Sequence, residues 1–203
     1  MDPNADIDAP NFIGPRDKDN KFLCHLSENY DEKNIRFFSI NNPALFNAAD
    51  IEYNNNKISF MLVYKNKKIE RIEVPLFGHH NIYNALAAIA VAYEFNWPLS
   101  MIKKQFANFP GISKRCECIG RENNIEVYND YGHHPTEIKT TLKGLKKGLN
   151  KKIICVFQPH RFSRVKALMT EFIQAFEYAD ILVLTEIYAS NEKIDPSISG
   201  KKL

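Results

Sequence analysis

The sequence predicts an α/β chain of two units: an antiparallel meander followed by helices, then an incomplete Rossmann-like, mostly parallel β-α-β-α-β segment. Three observations predict it. Between Ile51 and Val74 apolar and polar residues alternate with a period of two. After Gly78 the apolar residues recur every third or fourth position, and beyond Gly111 strand-sized and helix-sized apolar patterns take turns. With 203 residues, 44% of them hydrophobic, the chain can bury one or two compact cores.

Taken in order, residues 1–21 carry Pro3, Pro10 and Pro15 among Asp2, Asp6, Asp8, Asp17 and Asp19, with neither a helical nor a strand period, and read as loop or disorder. The meander consists of Lys57 to Val63 and Ile69 to Val74, separated from their neighbours by the turn-rich Asn54-Asn55-Asn56 and Lys65-Asn66-Lys67. A buried helix follows, with Ile82, Leu86, Ile89 and Tyr93 on one side and small Ala85, Ala87 and Ala88 permitting close packing. Pro98 interrupts it. A second short helix carries Ile102, Phe106 and Met101 towards Pro110-Gly111, where the junction between units 22–110 and 111–203 is placed.

Beyond the junction the expected order is strand Ile125 to Asn129, helix Pro135 to Leu149, strand Ile153 to Phe157, helix Arg164 to Tyr178 and strand Ile181 to Leu184. The first helix presents Ile138, Leu142, Leu145 and Leu149, with Pro135 at a tolerated first-turn position. The second presents Val165, Leu168, Met169, Phe172, Ile173 and Phe176. Helical crossovers return the chain parallel to the preceding strand.

Composition narrows the function classes. A formal charge of +3 arises from 27 basic and 24 acidic residues spread along the chain, with no dense basic stripe, so nucleic acid is not the expected partner. Cys24, Cys116, Cys118 and Cys155 form no C-x-x-C pair and no secretory leader precedes them, which points to a reducing cytoplasm. The longest apolar runs, such as Ile181 to Leu184, fall far short of the roughly 20 residues that span a bilayer, so no membrane association is expected.

In an open parallel sheet, ligands bind beyond the carboxyl ends of the strands. Here those exits are polar: Asn129-Asp130-Tyr131-Gly132-His133-His134-Pro135, then Gln158-Pro159-His160-Arg161-Phe162-Ser163-Arg164, then Glu186. Arg161 and Arg164 can form paired hydrogen bonds to a carboxylate, and Asp130 can accept from hydroxyls or an ammonium group. An amino acid or a nucleotide would suit; the plainer alternative is that these residues cap helices and form solvated ion pairs. His79, His80, His133, His134 and His160 lack any recognised zinc-ligand spacing, and no metal ligands are assigned. Cys116 and Cys118, two apart on an expected strand, read as packed thiols. Among the eight glycines there is no G-x-x-x-x-G-K-[ST] and no G-x-G-x-x-G; Gly200-Lys201-Lys202 lacks both the earlier glycine and the hydroxyl residue.

The segment Gly78-His79-His80-Asn81-Ile82-Tyr83-Asn84-Ala85-Leu86-Ala87-Ala88 resembles the adenine-side helix of the Mur ligases. Asn129 to Glu137, followed by Phe157-Gln158-Pro159-His160-Arg161, is similar to the branch of that family that joins UDP-N-acetylmuramate to L-alanine. The branch that recycles murein peptides shares the His-His-Pro segment but usually differs at Gln158 to Arg161. The resemblance runs from about Ala49 to Leu203. It implies the end of a central ATPase domain over 22–110 and the beginning of a C-terminal domain over 111–203.

By this resemblance Asn81 and Asn84 hold adenine, Arg115 reaches the nucleotide phosphates and Asp130 meets the ribose, which makes Arg115 and Asp130 the catalytic pair. Tyr131, His133, Arg161 and Arg164 form the amino-acid side of the cleft. Structural alternatives stand beside these roles: Asn81 and Asn84, three apart on one face, can simply bond locally, and Arg115 next to Lys114 can be surface charge. The implied co-substrate is ATP with Mg2+, most of whose phosphate and metal site belongs to parts of the family's fold that this sequence does not resemble. The expected partners are UDP-N-acetylmuramate, L-alanine and a complementary ligase fragment. Without a P-loop the chain is expected to be inactive alone. A non-catalytic nucleotide or amino-acid binding module is the rival reading, and a nicotinamide-dependent dehydrogenase is a fold-level analogy that lacks its glycine fingerprint.

Overall fold

A computed structural model describes residues 14–54 and 57–203, and contacts divide the chain into two compact units between Phe109 and Pro110. The first unit is a five-stranded sheet in the order β1 (Gly14–Asp17), β2 (Ile35–Ser39), β3 (Phe46–Asn54), β4 (Lys57–Tyr64), β5 (Lys67–Val74). β1 to β3 pair in parallel, whereas β3, β4 and β5 form the antiparallel meander. Alternation explains the core: Ile58, Phe60 and Leu62 of β4 and Ile72 and Val74 of β5 are buried. The β4–β5 hairpin turns on Lys65 and Asn66, both at positive φ (49° and 62°), the backbone that a tight two-residue connection requires. The other turn expected, Asn54-Asn55-Asn56, lies partly outside the described residues.

Among the described residues, three α-helices complete this unit: α1 (Lys21–Ser27), α2 (His80–Glu94) and α3 (Leu99–Ala107). α2 buries Ile82, Ala85, Leu86 and Ile89 into the same cluster as Phe46, Phe60 and Ile72. Arg36 on β2 pairs with Glu94 at the far end of α2, both largely shielded from water.

The first twenty-one residues, expected to be loop or disorder, depart from that expectation within the described part. Gly14–Asp17 is a strand in register with Ile35 to Phe38, and α1 begins at Lys21, capped by Asn20. A four-residue edge strand is too short to show a period, and Pro15 is tolerated there because an edge position needs fewer backbone donors. Residues 1–13 lie outside the described residues.

The second unit begins with a hairpin, β6 (Glu117–Glu122) and β7 (Ile125–Asn129), turning on Asn123 and Asn124 at φ 47° and 64°. There follow α4 (Pro135–Gly148), β8 (Ile154–Phe157), α5 (Phe162–Ala167), α6 (Met169–Ala175) and β9 (Ile181–Leu184). β8 and β9 pair in parallel, with Ile154 opposite Ile181 and Phe157 opposite Leu184, while the ladder of β7 runs antiparallel to β6. The expected strand and helix order thus holds in a mixed α/β fold. α4 buries Ile138, Leu142 and Leu145, and Phe157 packs on Phe172 and Phe176 at centroid distances of 6.0 and 5.2 Å.

Two local details differ from expectation. The helix expected from Arg164 to Tyr178 is two short helices broken at Leu168, whose φ and ψ of −119° and 26° are not helical. Neither proline nor glycine marks the break, so periodicity alone reads one continuous helix. Ile173, placed on the buried face by that continuous reading, is exposed. Cys116 lies just before β6 at φ 51° and is half-buried, whereas Cys118 is exposed, so the two thiols do not share a packed face. Among the described residues no helix is long and apolar enough to cross a membrane.

Candidate functional site

The sequence-designated residues fall into two groups, one in each unit. In the first unit, Gly78 leads into α2 at φ +89°, where a Cβ would come within 2.5 Å of the His80 ring. The backbone conformation therefore favours glycine, and a Cβ would also have to displace the His80 ring. The first turn then presents Asn81 and Asn84. Asn81 Nδ2 donates to the Phe77 carbonyl at 2.6 Å, and Asn84 Nδ2 donates to Asn81 Oδ1 at 2.9 Å. The local bonding considered as an alternative role is thus present, and it orients both amides while leaving Asn84 Oδ1 without a donor among the described residues. Each amide also keeps one N–H to offer.

In the second unit, the exit of β7 is folded by backbone donors. Asp130 Oδ2 accepts from Cys116 N–H and Oδ1 from Gly132 N–H, both at 2.7 Å. A Cβ on Gly132 would lie 2.6 Å from Asp130 Oδ1, so the carboxylate reaches this position only over a glycine. Tyr131 N–H donates to the Lys114 carbonyl at 2.7 Å, which holds the strip carrying Arg115 against this loop. The Tyr131 ring meets His133 edge-on at 5.2 Å, and His133 Nδ1 lies 3.0 Å from the Tyr131 carbonyl.

Glu137 organises the same loop and was not singled out by sequence. Its Oε2 accepts from His133 N–H and His134 N–H at 3.0 and 3.2 Å, closing a capping box at the start of α4, and its Oε1 is 3.6 Å from Arg115 Nη1. Partial burial raises the carboxyl pKa, but those two N–H bonds and the nearby His133 and Arg115 outweigh it and hold the group below its ordinary value. The signal was available: an N-cap at His134 with Glu three residues on is the capping-box spacing.

The exit of β8 carries the cationic side. Arg161 N–H donates to the Tyr188 carbonyl at 2.9 Å, Tyr188 N–H donates to the Pro159 carbonyl at 2.8 Å, and the His160 and Tyr188 rings stack at 5.2 Å. Arg161 has φ +73°, an unusual conformation for a residue with a Cβ to hold without such clamps. Ser163 donates through both N–H and Oγ to Glu192. Arg164 Nη1 is buried and has no hydrogen-bond partner among the described residues. Burial first, and then the positive charges of Arg164, Arg161 and His133, push the His160 pKa below its ordinary value, with Glu192 opposing. Arg161, Arg164, His133 and His160 therefore share one electrostatic neighbourhood. Tyr188 and Glu192 lie more than twenty residues from their partners and carried no local motif that could have revealed them.

Among the described residues no group of three His, Cys, Asp or Glu could hold a metal ion. The arrangement offers amide groups suited to a base edge in one unit. In the other it offers a donor-rich, positively charged seat suited to a small carboxylate.

Two family models match the chain: the Mur ligase middle domain over residues 10–92, and the Mur ligase glutamate ligase domain over residues 114–202. The UDP-N-acetylmuramate--L-alanine ligase of Geotalea uraniireducens is 41% identical over 172 residues, covering 85% of this chain and 38% of its own length. That of Caldicellulosiruptor saccharolyticus is 41% identical over 175 residues, with 86% and 38% covered. The chain thus spans well under half the length of these curated relatives. Among solved structures, the UDP-N-acetylmuramate-alanine ligase of Thermotoga maritima matches with a TM-score of 0.69 at 28% identity, over 76% of this chain and 35% of that one. A MurF structure from Acinetobacter baumannii matches with a TM-score of 0.66 at 19% identity, over 84% and 37%, which is a likeness of fold.

Proposed function

Because the chain belongs to the Mur ligase family, we propose that it is part of an ATP-dependent ligase that joins UDP-N-acetylmuramate to L-alanine in peptidoglycan biosynthesis, in the cytoplasm. The observation that carries the reading is the buried, unbonded Arg164 Nη1 beside Arg161, His160 and His133. A buried guanidinium donor without an acceptor costs on the order of 1–3 kcal/mol or more, and a bound carboxylate would satisfy it. L-alanine offers such a group on a small body. Tyr131 and His133 complete that side of the cleft.

Asn81 and Asn84 hold adenine: Asn84 Oδ1 accepts from the exocyclic amine, and the remaining amide N–H groups donate to ring nitrogens. Arg115, steadied by Glu137, reaches the nucleotide phosphates. Asp130 accepts a ribose hydroxyl on lone pairs that Cys116 N–H and Gly132 N–H leave open. In the reaction, the carboxylate of UDP-N-acetylmuramate is phosphorylated to an acyl phosphate by ATP, releasing ADP. The amine of L-alanine then attacks the acyl carbon, expelling phosphate and forming the amide. These residues position the reacting groups and neutralise anionic charge.

The sequence contains no P-loop, so these residues alone are expected to give no L-alanine-dependent phosphate release from ATP and UDP-N-acetylmuramate, and turnover needs that loop from outside this sequence, for which a complementary ligase fragment is one source. Calorimetric titration of the purified chain with ATP and with L-alanine is expected to show binding of each. Flat titrations of folded protein would remove the reading, and robust turnover by the chain alone would remove its second half. A preference for an L-alanyl peptide over L-alanine would point instead to the murein peptide branch.

A further inference from the structure

We propose that Asp19 is a positioning residue that fixes the adenine-facing first turn of α2, acting through Tyr83. The inference rests on the assignment of Asn81 and Asn84 to adenine, and it concerns how that pair is held.

Asp19 lies between β1 and α1, far from α2 in sequence. Its Oδ1 accepts from Ser39 Oγ at 2.6 Å and Asn42 Nδ2 at 2.7 Å. Its Oδ2 accepts from Ile40 N–H at 2.8 Å, Asn41 N–H at 3.1 Å, Asn41 Nδ2 at 3.2 Å and Tyr83 O–H at 2.8 Å. Every partner is a donor, so the carboxylate is a saturated anionic hub and not a cation seat. It gathers the chain that leaves β2 and joins it to one residue of α2.

That residue is well placed to act as a bolt. α2 has no side-chain cap: His79 at its N-terminus is itself in the right-handed helical conformation and makes no capping bond, and no acidic residue occupies the first turn. Local sequence therefore does not fix how the first turn is rotated. Successive helical residues are about 100° apart, which puts Asn81 and Asn84 roughly 60° from each other and Tyr83 on another side of the helix. Holding Tyr83 sets the angle at which both amides are presented. The Tyr83 ring is braced by Phe38 at 6.5 Å and by His79 at 5.9 Å, and His79 Nδ1 is 2.6 Å from Tyr53 O–H. The aromatic contacts limit sideways motion, and the charge-assisted bond to Asp19 limits rotation.

The test compares two variants of the full chain. Tyr83→Phe keeps the ring contacts and removes the hydroxyl, and with it the bond donated to Asp19 and the longer one accepted from Asn41 Nδ2 at 3.3 Å. Ser39→Ala removes another bond to the same carboxylate and leaves Tyr83 attached. Tyr83→Phe is expected to weaken ATP binding about ten-fold while GTP binding is unchanged. It should also speed amide exchange of Asn81 and Ile82, whose N–H groups close the first turn onto Gly78 and His79. Ser39→Ala is expected to lower the melting temperature yet preserve both the ATP-to-GTP preference and first-turn exchange. Unchanged exchange in Tyr83→Phe would overturn the proposal, as would equal losses in both variants tracking stability alone. If the native chain bound neither nucleotide, the adenine assignment would fall, and the exchange comparison would still decide whether Asp19 bolts the turn.

Discussion

Arg164 shows how far a single residue can be read. Its type and its place after a strand suggested a carboxylate partner, but only the fold shows that one of its guanidinium nitrogens is buried without an acceptor. Replacing it with Met removes the orphaned donor and keeps much of the packing stem. Arg164→Met is therefore expected to leave chemical stability unchanged or slightly higher while abolishing L-alanine binding, as read by urea denaturation and calorimetry. The same variant should shift His160. Burial and the cations Arg164, Arg161 and His133 depress its pKa, so loss of one cation raises it, a change visible by NMR titration. The sign for stability follows: a depressed His value contributes fully above the unfolded value of about 6.5 and is lost as pH falls through the lower folded value. The variant should lessen that acid-side loss. Asp130 was legible as an acceptor, but its use by Cys116 N–H and Gly132 N–H was not, because those donors arrive by chain folding.

At the scale of elements, α2 was legible because its apolar spacing is long and regular, and because Gly78 announces its start. Leu86 is fully buried between this helix and the sheet. Leu86→Ala should cost about 2–5 kcal/mol in the first unit, measured by urea denaturation, because the cavity adds to the lost burial. A cost under 1 kcal/mol would mean that the helix packs less tightly than a fully buried Leu86 implies. The break at Leu168 was illegible for the opposite reason: nothing in its side chain disfavours a helix, and the non-helical angles arise where packing changes. β1 was hidden by its length. Four residues gain their strand identity from pairing with β2 and carry little signal of their own.

For the whole molecule, the parallel pair β8 and β9 buries Phe157 but leaves much of its apolar surface open. Ile154 and Val156 are 60% and 70% exposed, next to their register partners Ile181 and Val183. The hairpin likewise exposes Ile125 and Val127. Contiguous apolar strand surface of this kind favours association. Light scattering of the isolated chain should show a mass that rises with concentration, and Val156→Glu should reduce that rise without lowering the melting temperature. A strictly monomeric native chain at high concentration would contradict this.

The sequence by itself determined the order of strands and helices from β4 to α3 and, apart from the break at Leu168, from β7 to β9, together with the glycine-led start of α2 and the chemical types gathered after each strand. Periodicity and local motifs act between neighbours, so they survive without knowledge of the fold. Tertiary structure alone decided that β1 joins the sheet, that Glu137 meets Arg115 and Tyr188 clamps Arg161, that Arg164 keeps a nitrogen unbonded among the described residues, and that Asp19 reaches Tyr83. Each of these depends on groups distant along the chain meeting at hydrogen-bonding range, and no local pattern encodes such a meeting.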